Sequence, residues 1–396
     1  MENYLTDTFY ESISQHRGPK ILFIQDEFRW VDQTMAVAER LGISVIFTVV
    51  NRDVVRRIYH RPYFSKVRFE HTLTGFVPEG LVHRKVPHYS NRKLDVSYRA
   101  RKLPGWCGSF ALQKWQIGER FLQDAPRFKL RTDIAISEAS RLYGEAWINL
   151  LSNSRATLGT ESGASFVDFS GHVLPAVDAF EAQNPDASFD VVRDRFLEGR
   201  DGDIVIHVIS PRCFEAASLR TLMILYPGEY SGVLKPGRHY VELAPDHSNM
   251  AEIVEIIRDP DRAGETIANA YEEIAKSPHW TFRTFIEHFD RVADDSLRQV
   301  ARESRRRPGA GKTRSKTAKE LADDGLPDLA ASAGTRALAE IRRVRAIQEK
   351  YVQNLSWISL TSAVIERLPP RLGNFLRYTG RAIMRLFRGP PARRRH

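Results

Sequence analysis

The chain reads as an α/β protein with two parallel-sheet units, a short first one and a longer second one, followed by a basic helical tail. Three observations predict this. Short apolar runs alternate with helix-compatible segments over residues 20–59, stop in a turn-rich stretch holding Pro62, Pro78 and Pro87, and start again at Leu94. Runs such as Ile204–Ile209 and Leu222–Tyr226 are apolar throughout rather than alternating, as in strands buried on both faces. Residues 301–396 hold 22 Lys and Arg against 8 Asp and Glu, a balance of +14, so the chain's +10 leaves −4 for residues 1–300.

A length of 396 residues gives room for sizeable cores, and 42% hydrophobic with 27% charged residues is an ordinary soluble balance. Two cysteines, Cys107 and Cys213, exclude a disulfide framework and a cysteine-rich zinc site. A reducing, cytoplasmic setting is the simpler expectation. The first twenty residues lack the apolar segment of a signal peptide, and no run approaches the roughly 18 apolar residues of a membrane span.

In chain order, Lys20–Gln25 is a strand ending in Asp26-Glu27-Phe28-Arg29. Asp32–Leu41 is a helix that Asp32 can cap and Gly42 can end. Ile43–Val50 is a second strand and Asp53–Tyr59 a second helix, completing a small Rossmann-like unit, residues 1–88. The 26–29 run, at a strand's carboxyl end, either lines a cleft or forms a self-neutralising loop.

Residues 60–92 read as a crossover into the second unit, residues 89–300. Leu94–Arg101 is a strand with Arg99 and Arg101 at its end. Gly105–Gly108 turns, Ser109–Gln123 is a helix, Ile134–Ile136 a strand, Ser140–Leu151 a helix and Ala156–Gly159 a strand. Thr160–Ser165 then offers Glu161, Ser162 and Gly163 in a turn that can aim backbone N–H groups at an anion, although small residues mark any tight turn. Residues 172–202 form a polar insertion with one helix, Phe189–Leu197. Next come a buried strand at Ile204–Ile209, a Pro211 stop, a helix over Cys213–Leu219 and a strand over Leu222–Tyr226, together a βαβ step of a parallel sheet. At that turn Arg212 suits a phosphate and Glu215 sugar hydroxyls, or the two simply pair on a helix surface. Helices beginning near Asn249 and Arg262 close the body near residue 295.

The segments IQDEFRW, DVSYRARKLP, LGTESGASFVDFSG, SPRCFEAAS and YSGVLKPGRHYVELAPDHSN carry a family likeness. Over residues 20–295 the chain resembles glycosyltransferases of the GT-B type, in particular the CgeB/YkvP spore-protein-like branch with its family 1/4-like C-terminal domain. The resemblance implies two Rossmann-like domains facing across a cleft, with a nucleotide-sugar donor on the C-terminal one and the acceptor on the N-terminal one. It places Glu215 on the second glutamate of a paired-glutamate signature that holds the donor's ribose. Eight positions earlier, where the first glutamate is expected, stands His207; Glu161 could replace that glutamate if residues 172–202 are an excursion. The chain is also short on its N-terminal side.

Sugar transfer from a nucleotide diphosphate builds negative charge on the leaving phosphate. Arg99, Arg101, Lys102 and Arg212 are the candidates to meet it. The 12 histidines are scattered and no Asp-x-Asp sits in a strand–turn context, so no metal and no cofactor is expected. Asp26 and Glu27 are the acidic pair nominated as base. The alternatives are a related binding or scaffolding protein without turnover, and a nucleotide-sugar epimerase. Whether the acceptor is a glycan, a lipid-linked sugar or a protein stays open.

The tail reads as a basic flexible linker over 301–330, then helices over 331–396. Arg307–Thr313 mimics a P-loop, but position 306 is arginine where glycine is required. Thr335–Val352 carries an apolar stripe. In Leu372–Arg388, Arg377, Arg381, Arg385 and Arg388 recur at helical spacing beside Leu376, Ile383 and Leu386. That pattern suits an anionic membrane surface and a peripheral inner-face location. Docking on the protein's own body is the second reading, and nucleic acid is the least favoured.

Overall fold

The computed structural model describes residues 7–16 and 18–306. After helix α1 (Asp7–Gln15), β1 (Ile21–Ile24), α2 (Val31–Leu41), β2 (Val45–Thr48), the single turn α3 (Val55–Ile58) and β3 (Arg68–His71) build a three-stranded sheet of order β1-β2-β3. Both strand pairs are parallel. Every residue of β2 is buried, as a central parallel strand requires. Gly42 ends α2 at φ 71, its N–H reaching the carbonyls of Ala38 and Glu39.

The short α4 (Glu79–Val82) leads to the second sheet. Its strands are β4 (Leu94–Arg99), β5 (Thr132–Ala135) and β6 (Ser154–Gly159), separated by α5 (Ser109–Asp124) and α6 (Gly144–Ser152). A small excursion follows: β7 (Ser162–Ala164), α7 (Val173–Gln183), α8 (Phe189–Phe196) and β8 (Ile206–Val208). Then α9 (Pro211–Ser218), β9 (Leu222–Leu225), β10 (Val241–Glu242), α10 (Met250–Arg258) and α11 (Pro260–Ala270) complete the unit. The order is β10-β9-β6-β4-β5, all parallel. A π-turn at Tyr271–Ala275 precedes α12 (Phe282–Arg306), the last helix among the described residues. The α/β class and the two parallel sheets agree with the sequence reading, and residues Thr8–Arg302 form one compact unit.

Several local expectations are corrected. Trp30, not Asp32, holds the cap position of α2, in a left-handed conformation; the first helical N–H groups go to the carbonyls of Asp168 (3.3 Å) and Phe169 (2.9 Å). The stretch 60–92 contains a strand, β3. The run Ile204–Ile209 is not a strand of the large sheet: only β8 forms, and it pairs antiparallel with β7. The reason is packing, because Ile204, Ile206 and Val208 complete the core of the first sheet beside Ile46 and Val50. Thr160–Ser165 is therefore a strand lead-in rather than an open turn. Pro211 does not stop structure; it opens α9 at a position whose N–H would have no helical partner. Residues 172–202 hold two helices, not one.

α12 runs past residue 295 to Arg306 and lies on the first sheet. Phe285, Phe289 and Val292 pack against Val45 and Phe47, and His288 and Asp295 reach Glu70 and Arg68 of β3. The expected linker from residue 307 onward and the helices at 335–352 and 372–388 lie outside the described residues. Among the described residues no helix is long and apolar enough to cross a membrane.

Candidate functional site

The carboxyl ends of both sheets supply the site, as open parallel sheets do. At the end of β4, Arg99 is consumed locally: it bonds the carbonyls of Tyr98 and Asp133 and pairs with the Asp133 carboxylate at 2.8 Å. Arg101 is exposed, 3.8 Å from Glu138, and Lys102 lies over Trp115 and 3.8 Å from Glu119. Arg212, in the first turn of α9, donates to the Arg99 carbonyl and stacks 5.1 Å from the Trp147 ring.

Lys114, which the sequence reading missed, points into the same place. Its ammonium donates to Ser162 Oγ at 3.0 Å. Burial, with the Arg212 and Arg101 charges nearby, pushes its pKa down to about 8. Neither Lys114 nor Arg212 forms a direct ion pair among the described residues; Asp26 and Glu215 act on them only at longer range. A signal for Lys114 did exist. It falls in register with Ala111, Ile117, Gly118 and Phe121, the buried stripe of α5, where a lysine must have a reason.

Glu215 does not pair with Arg212. Trp147 lies between them, its indole N–H donating to Glu215 Oε2 at 2.8 Å, and burial raises the Glu215 pKa. Gly163 sits opposite His207 in the β7–β8 ladder at φ 141, and any Cβ there would land on the Ile206 carbonyl. Its glycine serves that close approach.

Glu161 is 8% exposed and accepts the Tyr230 N–H at 2.7 Å. Its other neighbour is His207, with Nδ1 at 3.3 Å from Oε1. That bond is the main reason the His207 pKa is raised. Asn51, from the turn after β2, also meets the ring: its Oδ1 accepts the His207 N–H at 3.2 Å and its Nδ2 lies 3.1 Å from Nε2 and 3.4 Å from Nδ1. Glu161 is thus joined to His207 rather than to Glu215.

Asp26 and Glu27 part company. Asp26 is exposed and paired with Arg29 at 3.1 Å. Glu27 is 4% exposed, accepts from Thr48 Oγ1 at 2.7 Å and from the Tyr59 hydroxyl, and burial lifts its pKa to about 7. A small cavity beside it is lined by Asp26, Arg29, Trp30, Ile58 and Tyr59. Among the described residues no three His, Cys, Asp or Glu side chains are grouped to hold a metal ion.

No family model and no curated protein matches the chain. Solved structures do resemble it at low identity. The pneumococcal O-GlcNAc transferase GtfA with UDP and GlcNAc aligns at 12% identity and TM-score 0.41, over 73% of this chain and 54% of that one. An alpha-glucosyltransferase with UDP-glucose and abasic DNA aligns at 10% and 0.42, over 72% and 75%. Anabaena Alr3699/HepE with UDP-glucose aligns at 12% and 0.37, over 72% and 71%. The chain spans about half the length of the first of these.

Proposed function

We propose that this chain is a glycosyltransferase of GT-B arrangement, moving a sugar from a nucleotide-diphosphate donor without a metal ion. One observation carries the reading: Lys114 and Arg212 converge, neither held in a direct ion pair, at the carboxyl end of the larger sheet. A half-buried cation pair of this kind needs an anion, and a diphosphate supplies the charge and the oxygen acceptors. The same cations stabilise the leaving phosphate as the bond to the sugar breaks, the task a divalent metal would otherwise perform. Arg101, exposed beside them, extends the patch, and Ser162 lies under the Lys114 ammonium. Glu215, steadied by Trp147, is the carboxylate for ribose hydroxyls.

On this reading residues 89–300 hold the donor and residues 1–88, with the Glu27 cavity, face the acceptor. The acceptor is a glycan, a lipid-linked sugar or a protein. A basic segment at 372–388 would keep the protein on the inner face of a membrane, in the cytoplasm.

The test is a thermal-shift screen of wild type, Lys114→Ala, Arg212→Ala and Glu215→Ala with UDP, GDP, ADP, CMP and TDP. One nucleotide should raise the melting temperature. Either cation variant should weaken that nucleotide by roughly 10- to 100-fold, the worth of a charge-assisted hydrogen bond. If no nucleotide shifts the wild type at millimolar concentration, the donor site is refuted.

A further inference from the structure

The two edges of the first sheet are built differently. β3, on one side, carries Arg68, Glu70 and His71, and α12 answers with Asp295 at 3.7 Å from Arg68 and His288 at 3.1 Å from Glu70. Charges and a covering helix keep such an edge from pairing with another chain. β1, on the other side, reads Ile21-Leu22-Phe23-Ile24, with no charge, and among the described residues no strand lies beyond it. The Val45 N–H donates to the Lys20 carbonyl at 3.2 Å. Backbone groups alternate in direction along a strand, so Leu22 and Ile24 also face β2, and Ile21, Phe23 and Gln25 present their N–H and C=O groups outward. Phe23 is 50% exposed, although its ring stacks on Phe47 at 4.7 Å. α12 extends this bare edge. At about 100° per residue, His288 and Asp295 share the flank that meets β3, and Ile286 falls roughly 180° from them, on the β1 side. There Ile286 is exposed, next in the chain to Phe285, whose ring touches Phe23.

We propose that β1 pairs with β1 of a second copy of this chain, antiparallel across a two-fold axis at Phe23. In that register every outward backbone group finds a partner: Phe23 faces the partner's Phe23, and Ile21 faces the partner's Gln25 at both ends, for about six N–H···O bonds. Opposed residues of an antiparallel pair share a face, so the two Phe23 rings meet on the side covered by α12, with Ile286 of each copy beside them. The charges agree as well. Lys20 stands opposite the partner's Asp26; Asp26 is exposed, and the Lys20 ammonium is bonded to the carbonyls of Ser14 and Leu41 rather than to a carboxylate. A second copy fits better than an unrelated segment because the match is self-complementary, and a two-fold axis uses each favourable pair twice. The two three-stranded sheets join into one. The contact is small, two short strands and four apolar side chains. It belongs with the weak, reversible interfaces below about 1,200 Å², and its Kd should be on the order of 10 μM.

The experiment is sedimentation equilibrium of the full chain between roughly 1 and 100 μM, where the wild type should pass from monomer to dimer. Ile286→Lys, a change at an exposed position, should weaken the dimer by about tenfold or more. Leu297→Lys, also exposed but about 16 Å further along α12, should leave it within about threefold. Phe23→Cys should give a covalent dimer on mild oxidation, because the Cα atoms of a hydrogen-bonded pair stand about 5.5 Å apart, within disulfide reach. Leu297→Cys should not, and both native cysteines are buried. A urea melt checks that each variant is folded. Amide exchange at Phe23 in the wild type should slow as the protein concentration rises. The proposal is overturned by a wild type that stays monomeric throughout, by a dimer that Ile286→Lys leaves intact, or by a folded Phe23→Cys that does not cross-link. Slow exchange at Phe23 already in the monomer also overturns it, since a segment of the same chain would then hold the edge.

Discussion

At the scale of single residues, two titrating groups make the site measurable. Glu27 is held by hydroxyls rather than by a cation, and burial lifts its pKa from the ordinary 4.5 to about 7. Its folded pKa lies above its unfolded one, so the folded state binds the extra proton in that window. Stability is then full below about pH 4.5 and declines by about 3 kcal/mol as the pH rises through 7. Urea melts at pH 5 and 8 should show this difference, and Glu27→Gln should remove most of it. Lys114 works the other way. A bound phosphate favours its charged form, so nucleotide affinity should fall as pH rises through about 8. Titrations at pH 7 and 9.5 should differ in the wild type and agree in Lys114→Ala. Neither environment was legible in the sequence, since it depends on what packs against the side chain. Asp26 and Glu27 are neighbours in sequence, yet one is exposed and the other buried.

At the scale of elements, the strands of the two parallel sheets were the legible part. Stretches such as Val45–Thr48 and Leu222–Leu225 are apolar throughout because both faces are covered, and periodicity reports that directly. The same signal misled at Ile204–Ile209. An apolar run says that a strand is buried but not which sheet buries it, and β8 serves the first core from within the second unit. What makes that pairing possible is Gly163, whose missing Cβ lets the Ile206 carbonyl approach. Gly163→Ala combines a steric clash with backbone and an unfavourable φ, and should cost about 3 kcal/mol or more. Chemical denaturation would read the loss. Amide exchange should speed up at His207, which lies opposite in the ladder. α7 went unread because Pro175 in its first turn resembles a break; it is tolerated there, where the N–H has no helical partner.

At the scale of the whole molecule, the two sheets are tied by more than the crossover between them. β8 lends apolar side chains to the first sheet, Asn51 reaches back to His207, and α12 lays Phe285 and Phe289 against Phe23 and Phe47. The amphipathic pattern of α12 is readable in sequence, but its partner, about two hundred residues away, is a matter of topology and not of local pattern. Phe289→Ala, removing one ring from a half-buried aromatic cluster, should lower stability by about 2–3 kcal/mol. If the donor unit is independent of that cluster, nucleotide affinity will stay unchanged in the variant; isothermal titration beside a urea melt separates the two effects. The return of α12 also orders events during synthesis. The strands of the first sheet leave the ribosome early, yet the helix that covers Phe47 emerges more than two hundred residues later. At usual translation rates that wait is on the order of ten to fifty seconds. Throughout it, the nascent chain carries an uncovered aromatic sheet face, a natural target for a holdase. Stalled chains ending before Phe282 should stay chaperone-bound, while those that have released Arg306 should be free of it.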